Sequence, residues 1–298
     1  MWSATIALKG AGGEPVDLRR TIDGHGLTAL PPMTPDADQR GFGIVLNMPH
    51  GRPLAVRVRA AGALRVRVSG PAESEARQRA ALAGVRHVLR LDEDLSGFYA
   101  RVAEDPDLSW SCTGAGRMMR SQTVFEDVVK TICTTNCAWS GTVRMVSALV
   151  GHLGEEAAGG GRAFPSAATM AQAPEAFYAD EARAGYRGPY LRALAAAVAE
   201  GTLDLEALAS APRSEISDEE LEERLLALAG VGPYAAAHIM MLMGRHSRLI
   251  LDSWTRPTYA RLRGRKQTDA QILRRFRRYG DHAGLAFWLT ITRSWVEG

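Results

Sequence analysis

Cysteine is scarce in this chain, which has Cys112, Cys133 and Cys137 as its only three examples among 298 residues. A small, odd number of cysteines does not suit the disulfide framework of a secreted domain. The sequence also has no apolar run long enough to cross a bilayer and no signal pattern at its N-terminus. We therefore expect a soluble protein of a reducing compartment, either cytoplasmic in a bacterium or nuclear in a eukaryote.

Lysine is equally rare, since Lys9, Lys130 and Lys266 are the only examples. Arginine therefore carries nearly all of the positive charge in a chain whose formal net charge is +3. The forked guanidinium group suits bidentate contacts to phosphate, although a GC-rich genome also enriches arginine codons. Hydrophobic residues make up 46% of the chain, which is enough for the cores of two or three structural units.

The first hundred residues show the two-residue alternation that is typical of half-buried strands. Residues 54–59 and 64–68 alternate apolar with polar side chains, and residues 43–48 form a third candidate strand. A helical pattern then covers residues 73–91. These features predict an N-terminal domain, residues 1–95, that consists of an antiparallel β-sheet and a packed helix.

The pattern from residue 96 to residue 298 is helical. It predicts an all-helical core of two subdomains, and hence an α+β protein. Residues 124–153 form a long helical pattern that we expect to break near Asn136.

Residues 218–244 have the composition of two helices joined by a tight turn. Ser217 suits the cap of the first helix, and Glu220 lies where its side chain would complete a capping box. Pro233 suits the first turn of the second helix because its missing N–H has no intrahelical partner there. Gly244 then ends the second helix.

The turn itself, Gly230, Val231 and Gly232, admits two interpretations. Glycine accepts positive φ and places no side chain between the backbone and a ligand. The N–H groups at the start of the second helix would then seat a phosphate oxygen, and Ala235 lies in that first turn. The same tripeptide is equally an ordinary connection between packed helices.

Asp252 follows the apolar run Leu249-Ile250-Leu251 and precedes the start of another helix. Aspartate is a favoured N-cap, so a purely structural role accounts for the residue when it is considered alone. A carboxylate at the end of a buried stretch is also well placed for chemistry.

These segments together resemble the helix-hairpin-helix, Gly-Pro-Asp superfamily of DNA glycosylases, which includes endonuclease III and the 8-oxoguanine and alkylpurine glycosylases. The resemblance rests on the spacing of a Leu-x-Gly-Val-Gly-Pro-Tyr hairpin, residues 228–234, from Leu251-Asp252 about twenty residues later. It is closest to the 8-oxoguanine and 3-methyladenine branches, which share a small antiparallel sheet domain before the helices. The resemblance implies base excision repair of DNA damage by base flipping.

The segment upstream of the hairpin is also similar to the 8-oxoguanine branch. There, an asparagine at the place of Asn136 enters the duplex, and residues at the places of Tyr186 and Arg187 touch the opposite strand. Taken without the resemblance, Asn136 is a turn or cap residue and Tyr186 is a core aromatic.

The chemistry that the resemblance implies centres on Asp252. Breaking the bond between base and sugar leaves positive charge on the sugar, which a nearby carboxylate stabilises, and the carboxylate can also orient or deprotonate a water molecule. Members that also cut the strand use a lysine as a Schiff-base amine, and that position is Tyr234 here. We therefore expect a monofunctional glycosylase that hydrolytically excises an alkylated or oxidised purine. The alternatives are a non-catalytic damaged-DNA-binding protein of this fold and a bifunctional glycosylase/AP lyase.

Cofactors and partners follow from the same comparison. No cysteine follows Cys137, so the four-cysteine iron–sulfur cluster of some members is not expected. Cys133 and Cys137 alone make a poor metal site, so we expect no metal there. The family implies a monovalent cation at the hairpin, and the partner is double-stranded DNA with a damaged base, bound by a monomer that needs no membrane.

Aromatic and basic residues are further candidates for contact with DNA. The arginines between Arg261 and Arg278 either bind the DNA backbone or form a solvated helix face. The candidates for stacking on the flipped base, of which we expect only one or two to do so, are Trp139, Tyr190, Trp254 and Trp288.

Overall fold

A computed structural model describes residues 1–38 and 40–296. Its N-terminal part holds one antiparallel sheet in which the five described strands lie in the order β1-β5-β4-β3-β2. The strands are β1 (Trp2–Ala7), β2 (Met33–Pro35), β3 (Gly41–Leu46), β4 (Leu54–Ala60) and β5 (Arg65–Gly70). The predicted strands β3, β4 and β5 are confirmed with shifted ends, whereas β1 and β2 were not predicted.

The alternation in β4 explains why this segment is a strand. Val56 and Val58 are buried, while Arg57 and Arg59 point the other way, where both guanidinium groups reach Asp36. Burial of one face against a helix and exposure of the other fixes the register, because a slip of one residue would exchange the two faces.

Besides this sheet, the regular elements that the structure describes are helices, which confirms the α+β prediction. The helices that the structure describes are α1 (Leu18–Ile22), α2 (Glu75–Val88), α3 (Ser96–Val102), α4 (Val124–Thr134), α5 (Trp139–Ala148), α6 (Ala167–Gln172), α7 (Arg187–Ala199), α8 (Leu205–Ser210), α9 (Asp218–Leu226), α10 (Pro233–Leu242), α11 (Thr255–Arg263), α12 (Asp269–Phe276) and α13 (Ala283–Val296).

Three large apolar clusters organise these elements. One fills the space between the sheet and α2, a second joins α4, α5, α7 and α10, and a third joins α3, α11, α12 and α13. Tyr234 at the start of α10 packs against both helical clusters. Tyr234 therefore lies at the junction between these two helical cores.

Buried polar contacts fix the sheet domain against the helices. The Arg90 guanidinium is buried and donates to the carbonyl oxygens of Met241 and Leu242 at the end of α10. Glu93 Oε1 lies 2.6 Å from His246 Nε2. The indole N–H of Trp288 on α13 donates to the Gly24 carbonyl over 2.8 Å. The loop around Gly24 is thus tied to α13 across the domain junction.

Two local predictions have different outcomes. The predicted break near Asn136 is confirmed, since α4 ends at Thr134 and Asn136 has φ +44°. The Ser217 hydroxyl caps α9 by accepting from the N–H of Glu220 over 3.1 Å. The second half of the predicted capping box is wrong, because the Glu220 carboxylate binds Arg224, one turn along the helix, over 2.5 Å.

Candidate active site

The hairpin between α9 and α10 depends on its first glycine. Gly230 has φ +86°, in the left-handed region that side-chain-bearing residues rarely adopt. A Cβ atom at Gly230 would lie 2.9 Å from Cδ2 of the Tyr190 ring. Gly232 instead has extended backbone, and a Cβ there would meet nothing within 4 Å. The hairpin therefore has room for a Cβ atom at Gly232 and has none at Gly230.

This contrast predicts different stabilities for two alanine variants. Gly230→Ala should lower the free energy of unfolding by roughly 1–3 kcal/mol, because it combines backbone strain with a ring clash. Gly232→Ala should change it by less than about 0.5 kcal/mol, as at an ordinary surface position. Urea unfolding of both variants checks this, and equal losses would contradict the described geometry.

The first turn of α10 presents backbone donors. The first hydrogen bond of this turn runs from the N–H of Ala236 to the Gly232 carbonyl over 2.9 Å. In the described chain, the N–H groups of Gly232, Tyr234 and Ala235 have no acceptor. The side chains of Val231 and Ala235 are buried, so any contact of these residues with DNA must use the backbone.

Asp252 is held in a fixed direction just before α11. Its Oδ1 accepts from the N–H groups of Trp254 and Thr255 over 2.9 and 2.6 Å, and its own N–H donates to the Thr255 hydroxyl over 2.8 Å. The Asp252 carboxylate thus makes the hydrogen bonds of a cap, although the residue directly before α11 is Trp254, whose own side chain caps nothing. Within residues 1–38 and 40–296, Oδ2 of Asp252 accepts no hydrogen bond, so one carboxylate oxygen remains unused by the fold.

A cavity of about 960 Å³ opens beside the Asp252 carboxylate. It lies between the helical cores and reaches the loop that follows α1. Its wall contains aromatic, charged and small polar side chains, and the lining residues with polar or aromatic groups include His25, Asp127, Lys130, Thr134, Asn136, Trp139, Tyr234, His238, Asp252, Trp254, Trp288 and Trp295. Asp252 and the hairpin residue Tyr234 therefore face the same space.

Tyr234 links the hairpin to the end of α4. Its hydroxyl lies 3.2 Å from the Thr134 hydroxyl. Burial raises the pKa of the phenol above its usual value, and the nearby Asp252 carboxylate acts in the same direction. The side chain therefore stays a neutral phenol at neutral pH.

Three of the four aromatic candidates for stacking line the cavity, and one does not. Trp139 and Trp254 are partly exposed at the cavity, and Trp288 is buried in its wall. Trp254 also contacts Trp288 and Trp295, with ring centroids 6.0 and 5.3 Å apart. Tyr190 instead packs on Gly230, outside the cavity lining.

Arg187 is buried and holds the turn that contains Asn136. Its guanidinium donates to the carbonyl oxygen of Thr135 and stacks over the Tyr186 ring at 4.4 Å. Tyr186 and Asn136 are exposed. Asn136 lies at the cavity mouth, and Arg187 is engaged in supporting the loop rather than free for a forked contact.

The chain resembles known proteins in its structure rather than in its sequence. No protein-family model matches the sequence, and no curated protein is similar to it. Solved structures do match over nearly the whole chain. The 3-methyladenine DNA-glycosylase of Archaeoglobus fulgidus is 21% identical with a TM-score of 0.72, and the match covers 100% of this chain and 99% of that one.

Two further structures agree. The 8-oxoguanine glycosylase/lyase of Clostridium acetobutylicum in its apo form is 20% identical with a TM-score of 0.72, over 97% of this chain and 95% of that one. The structure of MBOgg1 with a low-affinity DNA ligand is 18% identical with a TM-score of 0.75, over 98% and 96%.

The chain has the fold of the 8-oxoguanine and 3-methyladenine DNA glycosylases. Identities of 18 to 21% establish the fold and leave substrate and mechanism to be argued from the site. The predicted likeness to these two branches is confirmed at this level.

Several groups in the cavity of this glycosylase fold were not identified from the sequence. They are His25, Asp127, Lys130, His238 and Trp295. The two on α4 carried a signal, because residues 127, 130, 131 and 134 repeat at helical spacing and turn one polar face to the cavity. The others come from elements that are distant in sequence, and no pattern within one segment marks them.

The α4 groups form a buried cluster. Lys130 Nζ donates to Glu126 Oε1 over 2.6 Å and to the Ser121 hydroxyl over 3.4 Å. Asp127 Oδ1 accepts from the N–H of Ser121 over 2.9 Å, and burial raises the pKa of Asp127 to about 7. The Lys130 amine is therefore engaged by Glu126 and Ser121 rather than free in the cavity.

Cys133 and the arginines of the basic C-terminal stretch do not line the cavity. In the described part of the chain, no group of three His, Cys, Asp or Glu side chains could hold a metal ion. Burial raises the pKa of Cys133 to about 12. Of the basic C-terminal stretch, Arg275 and Arg278 are paired with Asp107 and Asp105. None of the described helices is both long and apolar enough to span a bilayer.

Proposed function

We propose that this protein is a monofunctional DNA N-glycosylase that flips a damaged purine into the cavity and hydrolyses its bond to deoxyribose. The observation that supports it best is the Asp252 carboxylate, which has one oxygen fixed by α11 and the other unused, beside a cavity that also reaches the hairpin. Proteins with this fold include DNA glycosylases. Binding of double-stranded DNA is supported by the Clostridium acetobutylicum structure, which holds dsDNA with cytosine opposite 8-oxoG.

The proposed reaction depends on the negative charge of the Asp252 carboxylate. As the bond between base and C1′ breaks, its electrons leave with the base and the sugar becomes cationic. A fixed carboxylate in a cavity shielded from water stabilises that cation more than bulk solvent would. Asp252 then orients a water molecule that adds to C1′ and loses a proton to the carboxylate or to solvent. The departing base takes up one proton from solvent if it leaves as an anion, and none if it was a cationic alkylated base. The products are the free base and an abasic site.

The elements around the cavity would take the base out of the duplex and hold it. Flipping costs roughly a few kcal/mol, and less for a damaged pair. The open N–H groups of the hairpin would hold a phosphate oxygen, and Asn136 at the cavity mouth would fill the vacated stack. The indoles of Trp139, Trp254 and Trp288 offer flat faces to the flipped base.

Strand cleavage is not part of this proposal. The position that carries the Schiff-base lysine in lyases is Tyr234, and a phenol cannot form an imine. Lys130 is the one lysine among the described cavity-lining residues, and Glu126 holds it in an ion pair. Attack on C1′ would require this amine to leave its carboxylate partner.

A monovalent cation at the hairpin is compatible with its backbone. The carbonyl oxygens of Gly230 and Val231 accept no hydrogen bond from the described residues. These oxygens are suitable ligands for Na⁺ or K⁺, which would add positive charge near a bound phosphate.

The test is a panel of labelled duplexes, each with one 8-oxoguanine, 7-methylguanine, hypoxanthine or 1,N6-ethenoadenine. We expect alkali to reveal an abasic site in at least one duplex, and borohydride to trap no covalent adduct on any of them. Strand cleavage without alkali, together with a trapped adduct, would establish the bifunctional alternative. Binding without base release on every duplex would favour the non-catalytic alternative.

A further inference from the structure

Two histidines that are distant in sequence contact each other in the cavity wall. His25 lies in the loop after α1, and His238 lies on α10 one turn beyond Tyr234. Their ring centroids are 6.1 Å apart and the rings are nearly perpendicular. Neither has a part in the chemistry assigned to Asp252.

His238 has an unsatisfied hydrogen-bonding atom. Its Nδ1 is buried and has no partner among the described residues. The groups around it are rings: Tyr234 at 6.0 Å, Trp288 at 6.3 Å and His25. Because Nδ1 is closed off by these rings, a ligand in the cavity would meet the other ring nitrogen, Nε2, which is not buried and also has no partner among the described residues.

The carbonyl oxygen of Met119 determines which nitrogen of the His25 ring carries the hydrogen. His25 Nε2 lies 2.5 Å from the carbonyl oxygen of Met119. A carbonyl can only accept, so Nε2 carries the hydrogen, and in a neutral ring Nδ1 then has no hydrogen and can only accept.

Both rings are neutral at physiological pH. Burial lowers the pKa of His25 to about 3, with a further contribution from His238, and burial lowers the pKa of His238 to about 4. A neutral imidazole offers one acceptor and one N–H donor, whereas an imidazolium ion would only donate.

We propose that His25 and His238 form a base-reading pair that hydrogen-bonds the edge of the flipped base, and that the pair favours bases with an N–H group on that edge. The proposal rests on the proposed function, because it needs a flipped base in this cavity. Hypoxanthine and 8-oxoguanine each carry ring N–H groups that such an acceptor can bind. Ethenoadenine has no N–H group on its modified edge.

The experiment separates base reading from folding. We compare wild type, His238→Phe, His238→Gln and, as an exposed control outside the cavity lining, His50→Phe. Single-turnover release is measured on the fastest duplex of the panel. The affinity of each variant is measured in the Asp252→Asn background, both for that duplex and for one with a tetrahydrofuran abasic analogue.

His238→Phe should slow base release and weaken binding of the lesion duplex by roughly 10- to 100-fold, because it leaves the edge of the base without its partner. Affinity for the tetrahydrofuran duplex should stay within about twofold, since no base occupies the cavity. Glutamine should restore part of the loss, and His50→Phe should have no effect.

Equal weakening on both duplexes, or base release within about threefold of wild type, would overturn the base-reading role. If the wild type released no base from any duplex, the proposed function would fail. The binding comparison would then use the lesion duplex that Asp252→Asn binds most tightly, and it would still decide the role of His238 because it does not require turnover.

Discussion

Asp252→Asn should lower the single-turnover rate of base release by roughly 10²- to 10⁴-fold, the range expected for a charge that acts in the transition state. Asparagine keeps the Oδ1 atom that accepts from Trp254 and Thr255, so the cap of α11 and the thermal midpoint should be preserved. Affinity for a lesion duplex should also be retained. The variant thus separates the charge of the side chain from its structural role.

Two comparisons sharpen this experiment. Asp252→Ala removes both charge and cap, and should cost about 1 kcal/mol of stability in addition to activity. Asp204→Asn is the matched control, because Asp204 caps α8 by accepting from the N–H of Ala207 over 2.9 Å and does not line the cavity. It should release base at the wild-type rate. Near-wild-type release by Asp252→Asn would remove this carboxylate from the mechanism.

Gly232→Leu should weaken binding to any duplex by about tenfold without destabilising the protein. A Cβ at Gly232 meets nothing within 4 Å, so the larger side chain fits the free protein. In the complex it would stand between the backbone N–H groups of α10 and the phosphate they are proposed to bind. Affinity should fall equally for damaged and undamaged DNA, because a phosphate contact does not distinguish bases.

The dependence on salt gives an independent check. The lost donors are uncharged N–H groups, so the slope of log affinity against log salt should stay close to that of the wild type. Gly151→Leu is a suitable control, since its Cβ position is also open and the residue lies outside the cavity lining. Unchanged affinity of Gly232→Leu would mean that the hairpin serves only to connect two packed helices.

The elements that could be predicted from the sequence are those determined by neighbouring residues. Strand β4 follows from alternation, and the hairpin follows from Gly230 and Pro233, which act on the backbone wherever the chain goes. Strand β1 was missed although Trp2 and Ile6, both buried, carry the same alternation. An element whose signal lies within one segment can therefore be predicted from the sequence.

The cavity was harder to predict because its wall is assembled from distant segments. Tyr190 was proposed to stack on a base, yet packing of α7 against the hairpin directs its ring onto Gly230. The resemblance placed Arg187 at the opposite DNA strand, yet the side chain is buried and its guanidinium donates to the Thr135 carbonyl. His25 and His238 meet only after two domains pack together. The direction of a side chain depends on that packing, which single-sequence patterns do not contain.

The bond from the Trp288 indole to the Gly24 carbonyl has a wider consequence. It ties the segment before His25 to the last helix, so the two ends of the chain cooperate in shaping one recess. Separately expressed halves should each lack part of that recess. The segment around His25 can therefore be varied to alter which lesion is accepted. Such changes leave Asp252 and the hairpin that is proposed to bind phosphate as they are.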